Sequence, residues 1–353
     1  MTDIELTNGD LAELLSRAAE YEEGHRVRAL RRASRAAMFW PDEAADLAER
    51  GRSLTELRSV GPWVERLLIA WLESPPDDLG RPALRSGFLT RSEARRTIAE
   101  NPEWTDGLRS DLQMHTTDSD GNATLLEMLQ AARDSGHRYV AFTDHSKGLP
   151  IANGMDEEQL RPQAETLREA NAAVAAEGGD PITGLHGIEM NLSPEGEGDM
   201  DPAALRELDI VLGAFHSKLR LKEDQTERYL AAVANPDVQV LAHPRGRMFG
   251  RRLGLDADWP RVFAAASERG KALEADAHPA RQDLDVDRLE IARDAGAWIS
   301  IDTDAHAPSE LVYQEFGIAA AIRARFPRER VLNFLSEEEL REWVSESRDR
   351  AKR

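Results

Sequence analysis

The sequence from about residue 109 onward repeats one pattern, in which a short apolar run ends in a residue that can bind a metal ion. The landmarks that close these runs are His115, His145, Glu189, His216, His243, Glu274 and Asp304. Successive landmarks are 30, 44, 27, 27, 31 and 30 residues apart, close to the length of one strand with its crossover helix. Near-continuous apolar runs are typical of parallel strands that are buried on both faces. Seven such units predict an α/β fold with a closed or nearly closed parallel barrel.

Such a barrel brings the carboxyl ends of its strands to one rim, where the active sites of these folds lie. In the first motif, DLQMHTTDSDG (111–121), the alternation of side chains along a strand turns Gln113 and His115 toward the barrel axis and Met114 outward. Asp304 and His306 repeat this spacing in the last motif. We therefore predict one cluster of metal ligands that are distant in sequence. Its members are Gln113, His115, Asp120, His145, Glu189, His216, His243, Asp304 and His306.

The absence of cysteine restricts the chemistry of this cluster. The 353 residues include no Cys, which excludes disulfides, thiolate metal sites and cysteine nucleophiles. Any metal ion must then be held by nitrogen and oxygen atoms. Burial of several carboxylates together is unfavourable without cations, because each raises the pKa of the others and loses hydration. Since cysteine nucleophiles are excluded, we assign the predicted catalysis to the metal ligands, and the eight His, Asp and Glu members of the cluster are also the predicted catalytic residues.

Basic side chains follow the same strand ends and could neutralise the charge of a phosphate group, since guanidinium groups bind phosphate oxygens in a fork. The predicted phosphate contacts are Lys147, Lys218, Arg247, Arg251 and Arg281. Glu274 is expected to orient a neighbouring group. The remaining histidines are expected to be structural or surface residues: His25, His137, His186 and His278.

The motifs, taken in order, resemble those of a known family. They are DLQMHTTDSDG, FTDHS, GIEMN, AFHSK, LAHPRGRMFGRR, LEADAHPARQDL and ISIDTDAH. Over about residues 109–345 they are similar to the successive motifs of the PHP family, the polymerase and histidinol phosphatase metallophosphoesterases. The resemblance implies a distorted seven-stranded (β/α)7 barrel that holds up to three divalent metal ions, commonly Mn, Zn or Fe. It implies ester hydrolysis by metal-activated water, without a nucleophilic side chain.

The resemblance also implies how the ligands divide among the ions. One ion would be surrounded by Gln113, His115, Glu189 and Asp304. A second, which shares Glu189, would be held by His216 and His243, and a third by Asp120, His145 and His306. Most of the family has His-x-His in the first motif, whereas the branch attached to bacterial family X DNA polymerases often resembles this chain in having Gln there. An amide oxygen is a weaker ligand than an imidazole, so we expect loose or exchangeable binding at Gln113.

The N-terminal part has a helical residue pattern and lacks the repeated apolar runs of the barrel. Residues 1–75 predict a small all-α domain and residues 76–108 a linker with a short helix, before the barrel at 109–345. In LTELRSVGPWVERLL (54–68), a turn around Gly61 separates two helices whose backbone amides can face a phosphate. This part resembles the helix-hairpin-helix DNA-binding domain of family X polymerases, although Ser59 stands at the first glycine of the usual Gly-x-Gly. The linker leaves no room for a polymerase palm of ordinary size.

One helix of this domain is strongly basic. HRVRALRRASR (25–35) contains no acidic residue, and four of its five arginines lie at helical spacing and form, together with Gly61, the predicted nucleic-acid contact. These arginines are Arg28, Arg31, Arg32 and Arg35. Residues 1–75 nevertheless hold 10 basic and 14 acidic residues, so the balance predicts a modest, local contact.

Net charge and hydropathy limit the location and the binding partners that the sequence predicts. A net charge of -20 repels nucleic acid at long range, so any such binding must be local. No run approaches the roughly 18 apolar residues that span a bilayer. The N-terminus is acidic and polar, unlike a signal peptide. The sequence thus predicts a cytoplasmic protein without a membrane partner.

Three functions fit these features. The first is a metal-dependent phosphoesterase that hydrolyses phosphodiester bonds of nucleic acid, as a 3′–5′ exonuclease or DNA-repair nuclease whose helical domain binds the strand. The second is a small-molecule phosphatase of the histidinol-phosphate type, which the same metal rim could serve. The third is a non-enzymatic nucleic-acid-binding protein with a vestigial metal site. The native metal, the substrate's polarity and length, and the oligomeric state stay open.

Overall fold

The computed structural model describes residues 5–76 and 79–350, which form two compact units that divide between Glu100 and Asn101. Residues 1–4 of the predicted helical domain and residues 77–78 of the predicted linker lie outside the described residues, as do residues 351–353. Each unit has its own buried residues and is described separately below.

The first unit is entirely helical in its described part. Thr7 caps α1 and exchanges hydrogen bonds with Asp10 in a capping box. The Ser34 hydroxyl in α2 donates to the Ala12 carbonyl in α1 at 2.7 Å. The helices of the unit are α1 (Asn8–Ala18), α2 (His25–Ala37), α3 (Ala44–Glu49), α4 (Pro62–Glu73) and α5 (Arg91–Ala99), with 3-10 turns at Leu54–Glu56 and Ala83–Arg85.

The described residues from 79 to 100, which the sequence assigns to a linker, pack within this helical unit. Arg85 forms a salt bridge to Glu13 at 2.7 Å. The Ser92 hydroxyl donates to buried Glu43 at 2.9 Å. Composition does not reveal such contacts. A stretch rich in Pro and Gly predicts a linker, whether or not the residues that follow it pack back onto the preceding helices.

The second unit contains a single seven-stranded parallel sheet in the order β1 to β7. Helices connect successive strands, so the predicted (β/α)7 barrel is confirmed. The strands are β1 (Ser110–Met114), β2 (Tyr139–Phe142), β3 (Thr183–Asn191), β4 (Ile210–Ala214), β5 (Val240–Ala242), β6 (Ala272–Asp276) and β7 (Trp298–Asp302). The longest interval between sequence landmarks, from His145 to Glu189, contains a helix of 21 residues.

The helices of the barrel unit vary from four to 21 residues. None of the helices in the described residues is both long enough and apolar enough to cross a membrane. They are α6 (Glu103–Gly107), α7 (Leu125–Asp134), α8 (Glu157–Glu177), α9 (Pro202–Leu205), α10 (Thr226–Ala234), α11 (Trp259–Arg269), α12 (Val286–Asp294), α13 (Gln314–Arg323) and α14 (Glu337–Arg350).

The amino-terminal end of the barrel is filled by apolar side chains. Residues of β1 to β6, among them Leu112 and Ile210, form one buried cluster with Trp343 of α14. The ring of Trp343 lies 6.1 Å from that of Trp298 at the start of β7. Because α14 packs across the strand starts, it closes this end of the barrel.

The seam between β1 and β7 is joined largely through carboxylates. The Leu112 N–H donates to the Asp302 carboxylate at 2.7 Å. The Thr303 hydroxyl donates to Asp111 at 2.5 Å. One backbone bond, from the His115 N–H to the Ala305 carbonyl at 2.8 Å, completes the closure. Side chains here replace part of the strand ladder between β1 and β7.

Lys271, which directly precedes β6, is a buried cation at the amino-terminal end of the barrel. It is 2% exposed, and its Nζ donates to the Val238 carbonyl. Burial lowers the pKa of Lys271 to about 8; Arg348 and Arg269 act in the same direction, while Asp237 opposes them. An unfolded lysine has a pKa of about 10.4. The unfolded chain therefore holds this proton more tightly, so stability rises with pH between these two values and the full penalty applies below pH 8.

We expect Lys271→Met to raise the free energy of unfolding at pH 7 by about 2 kcal/mol. Removing the buried charge gains about 3 kcal/mol, and losing the hydrogen bond costs about 1 kcal/mol. The variant should also lack the rise in stability above pH 8. Urea denaturation across this pH range measures both effects, with the exposed Lys222→Met as control. Identical pH dependence in the two variants would contradict the assignment.

Candidate metal centre

The end of β1 and its turn position the first predicted ligands. Gln113 and His115 are completely buried, whereas Met114 packs outward among residues of α7 and α8, as predicted. A Cβ at residue 121 would lie 2.5 Å from the His115 carbonyl oxygen, so Gly121 permits a close approach that other residues would block. The turn brings Asp120 back toward the imidazole, with 4.0 Å between Asp120 Oδ1 and His115 Nδ1.

The Glu189 carboxylate on β3 is the meeting point of four histidines, each from the end of a different strand. Its Oε1 lies 2.8 Å from His243 Nε2 and 3.1 Å from His216 Nε2. Its Oε2 lies 3.1 Å from His145 Nδ1 and 3.4 Å from His115 Nε2. Glu189 is completely buried. The loops after β1, β2, β4 and β5 thus converge on one carboxylate.

The other two carboxylates extend this network. Asp120 Oδ1 lies 3.6 Å from His145 Nε2 and 3.4 Å from His306 Nε2. Asp304 Oδ1 lies 3.0 Å from His115 Nε2. Eight of the nine predicted ligands therefore form one continuous cluster. The ninth, Gln113, is buried, and its amide has no hydrogen-bond partner among the described residues.

Three groups within the cluster bring their ligand atoms within 4.8 Å of one another. They are His115, Asp120, His145 and His306; His145, Glu189 and His216; and His115, Glu189 and Asp304.

The protonation states favour metal binding at most of these positions. Burial raises the pKa of Glu189, but the surrounding imidazoles outweigh it and hold the pKa well below its usual range. The same balance, with Arg281 as the main cation, keeps the pKa of Asp304 low. Burial lowers the pKa of His145 to about 4, which leaves a neutral imidazole. Despite burial, the Asp120 and Asp304 carboxylates raise the pKa of His306 to about 9.

Unsatisfied buried atoms indicate that the cluster fits metal ions. His115 Nδ1, His145 Nδ1 and Glu189 Oε2 are buried without a hydrogen-bond partner in the described part of the chain. His145 Nδ1 and Glu189 Oε2 lie 3.1 Å apart and still do not hydrogen-bond. Buried polar atoms are rarely left unpaired, because each costs about 1–3 kcal/mol. A set of imidazole nitrogens and carboxylate oxygens suits Zn, Mn or Fe.

Two of the ligands have strained backbones. His243 has φ 26° and Asp304 has φ 51°, a region that favours glycine. Each such residue costs on the order of 1–3 kcal/mol and is retained where surrounding contacts fix it. For His243 that contact comes from fully buried Glu274, whose carboxylate accepts the His243 N–H at 2.6 Å. Glu274 thus orients this ligand through its backbone.

Further residues hold the ligands in position, and the sequence motifs alone do not reveal their roles. Asp144, next to His145, accepts hydrogen bonds from the Thr116 N–H at 2.8 Å and the Ser119 hydroxyl at 2.5 Å, which fixes the turn after β1. The His216 Nδ1 lies 3.2 Å from Asn191 Oδ1, so its Nε2 faces Glu189. Asp144 lies in the FTDHS motif, and its position directly before a predicted ligand is the sequence feature that could have indicated this role.

The predicted phosphate contacts differ in their surroundings. Arg247 is 4% exposed and forms a salt bridge to Asp285 at 2.7 Å, and exposed Lys147 pairs with Glu157 at 2.7 Å. Each would have to leave its carboxylate to bind phosphate, and these two roles stay predictions. Arg281 contacts Asp304 and therefore adjoins the cluster. For Lys218 and Arg251, both exposed, the described residues offer no carboxylate partner.

The four histidines outside the cluster have other surroundings. His137 is buried and its Nε2 lies 3.0 Å from Gln314 Oε1. The His186 ring contacts Gln163 at 3.0 Å. His278 packs edge-on against Tyr313 with ring centroids 5.5 Å apart, and His25 is exposed at the start of α2. None of them belongs to the three groups of close ligands found among the described residues.

Known proteins similar to this chain include enzymes that act on phosphate esters. No family model matches the sequence. The DNA polymerase/3′-5′ exonuclease PolX of Bacillus subtilis is 37% identical over 227 residues, which are 64% of this chain and 39% of PolX. This chain thus spans well under half the length of that relative.

A second relative matches over most of its own length. The probable phosphatase of Edwardsiella ictaluri is 31% identical over 234 residues, 63% of this chain and 89% of that protein. The chain belongs to the PHP family. PHP membership makes it a metal-dependent hydrolase of phosphoester bonds. A solved histidinol phosphate phosphatase of Lactococcus lactis, complexed with Zn, L-histidinol and phosphate, is 16% identical with a TM-score of 0.43 over 62% of this chain and 94% of that one.

We expect Glu189→Gln to reduce metal binding more than Asp120→Asn does. Glu189 belongs to two of the three ligand groups and Asp120 to one. Loss of the shared carboxylate should lower the affinity at least about 100-fold, measured by equilibrium dialysis with elemental analysis. Exposed Glu290→Gln is the matched control. Equal metal contents in the Glu189 and Asp120 variants would contradict a central role for Glu189.

Proposed function

We propose that this protein hydrolyses phosphodiester bonds of nucleic acid, as a 3′–5′ exonuclease or DNA-repair nuclease. The observation that carries the proposal is the convergence of histidines from four strand ends on buried Glu189. The similarity to a protein named as a polymerase and 3′-5′ exonuclease supports nucleic acid as the substrate.

In this proposal the ligands divide as the family resemblance implies. Gln113, His115, Glu189 and Asp304 would hold one ion, and Glu189, His216 and His243 would hold a second. Asp120, His145 and His306 would hold a third. When bound, such ions supply Lewis-acid chemistry that activates water and stabilises charge on phosphoryl oxygens.

The protein's own residues orient the substrate and keep the ligands aligned. Arg281 holds Asp304 and presents a cation at the edge of the cluster, where a phosphate oxygen could be bound. Lys218 and Arg251 lie on the loops after β4 and β5 and add positive charge at the same rim. Asn191 and Glu274 fix the directions of His216 and His243. Fixed ligand directions of this kind reduce the reorganisation needed at the metal cluster.

The helical unit supplies a basic face for a nucleic-acid strand. Arg28, Arg31, Arg32 and Arg35 are all exposed, while Leu30 and three alanines of α2 are buried on the opposite face. Ser59 has φ 68°, so the hairpin backbone takes a left-handed conformation although serine replaces glycine. Gly61 precedes α4, and a Cβ there would meet open space. Backbone amides at this helix start could therefore approach a phosphate.

Incubation with DNA tests the proposed activity. Protein loaded with Mn, Zn or Fe should shorten 5′-labelled single-stranded or gapped DNA from the 3′ end, and a sequencing gel records the products. Glu189→Gln should lower the rate at least about 100-fold. Inertness toward DNA with all three metals would refute nuclease activity.

A small-molecule phosphatase is the second candidate. It is favoured by the match that covers 89% of a probable phosphatase and by the net charge of -20, which disfavours long polyanions. Phosphate release from a panel of monoesters, with DNA left intact, would support this candidate over the nuclease.

We expect Arg31→Gln with Arg35→Gln to weaken binding of single-stranded DNA and to reduce its dependence on salt. Each lost phosphate contact should lower the slope of log affinity against log salt by about 0.7. Fluorescence anisotropy at several KCl concentrations measures both quantities. The control is Arg50→Gln with Arg95→Gln, two exposed arginines of the same unit. If both pairs behave alike, α2 provides no specific contact.

A further inference from the structure

Two loops at the rim of the barrel carry arginines that the metal cluster does not use. Arg220 follows β4, and Arg251 and Arg252 follow β5. We call these three residues the rim arginines. In the parts of the chain that the structure describes, no carboxylate forms a salt bridge with any of them.

Backbone contacts fix the rim arginines together. The Arg220 Nη1 lies 3.5 Å from the Arg251 carbonyl oxygen, which links the two loops. Met248 and Arg252 exchange backbone hydrogen bonds of 2.9 Å across a tight turn that contains Gly250 at φ 66°. The turn is therefore a defined structure, and its arginines are held at one end of it.

The same turn is attached to the metal cluster. The Phe249 N–H donates to the Ala280 carbonyl at 2.8 Å, in the loop after β6. The next residue, Arg281, contacts the predicted ligand Asp304. The loop that carries Arg251 and Arg252 is therefore linked to the metal cluster through the loop that contains Arg281.

The charge of Arg252 lacks compensation. Its Nε is buried and has no hydrogen-bond partner among the described residues. Burial lowers the pKa of Arg252, and the nearby Arg281, Arg220 and Arg251 lower it further, while Asp283 opposes them. Like charges held together are unfavourable, and an anion bound among them would relieve this repulsion.

Two exposed leucines adjoin the rim arginines in the chain. Leu221 follows Arg220 and is 38% exposed, and Leu253 follows Arg252 and is 54% exposed. Cations beside an apolar surface suit a nucleic-acid strand, which offers phosphates and the flat faces of bases. A monoester whose single phosphate occupies the metal cluster has no second phosphate for these cations.

We propose that the rim arginines bind a second phosphate of a nucleic-acid strand whose neighbouring phosphodiester lies at the metal cluster. This inference rests on the proposed function and deepens it, because the subsite selects a strand over a small phosphate ester. Arg281 contacts Asp304 and directly follows Ala280, which binds the turn that carries Arg251 and Arg252.

Binding of a strand that resists hydrolysis tests the subsite without relying on turnover. The probe is phosphorothioate-linked oligothymidylate with a fluorescent label, added to manganese-loaded protein at several KCl concentrations. Arg252→Gln should weaken binding roughly tenfold and lower the salt slope by about 0.7. Arg206→Gln, an exposed arginine outside these loops, should match the unaltered protein. Equal affinity of the Arg252 and Arg206 variants would overturn the proposal.

Steady-state kinetics provides the second comparison. For Arg252→Gln, the ratio of the KM for oligothymidylate to the KM for bis(p-nitrophenyl) phosphate should rise roughly tenfold. An equal change in both KM values would overturn the proposal, since Arg252 would then act at the metal cluster. Should Arg252→Gln have an altered circular dichroism melt, exposed Arg220→Gln with Arg251→Gln serves in its place.

Different results would refute the proposed function and the binding of a strand by the rim arginines. Absence of hydrolysis of either substrate by the unaltered protein would refute the proposed function. The binding comparison between the Arg252 and Arg206 variants would still decide whether the rim arginines hold a strand.

Discussion

The buried carboxylate of Glu189 is the group on which the rest of the site depends. A carboxylate with no exposure is unfavourable unless cations or hydrogen-bond donors surround it. Here four imidazoles lie within 3.4 Å of its oxygens, and each comes from the end of a different strand. The barrel must therefore hold five strand ends in register to keep this one charge satisfied.

The barrel and the membership of the cluster could be predicted from sequence because both follow from periodicity. Apolar runs at intervals near 30 residues specify βα units, and parallel strands place their carboxyl ends on one side. His145 and His243 are 98 residues apart, yet both contact Glu189. The barrel topology alone brings such residues together, whatever the packing around them.

What could not be predicted depends on contacts within loops. The pairing of Arg247 with Asp285 joins loops after different strands, and no periodicity encodes it. The positive φ angles of His243 and Asp304 arise from tertiary contacts, in positions where local preference would favour glycine. The packing of residues 79–100 into the helical unit has the same origin, since Arg85 finds Glu13 only after the chain has folded back.

The packing of α14 across the strand starts closes one end of the barrel, and the metal ligands lie at the other end. Among the described residues, Trp343 and its apolar neighbours fill the end of the barrel opposite the cluster. A substrate therefore approaches the ligands from the carboxyl-terminal rim of the barrel, where the loops that carry them lie.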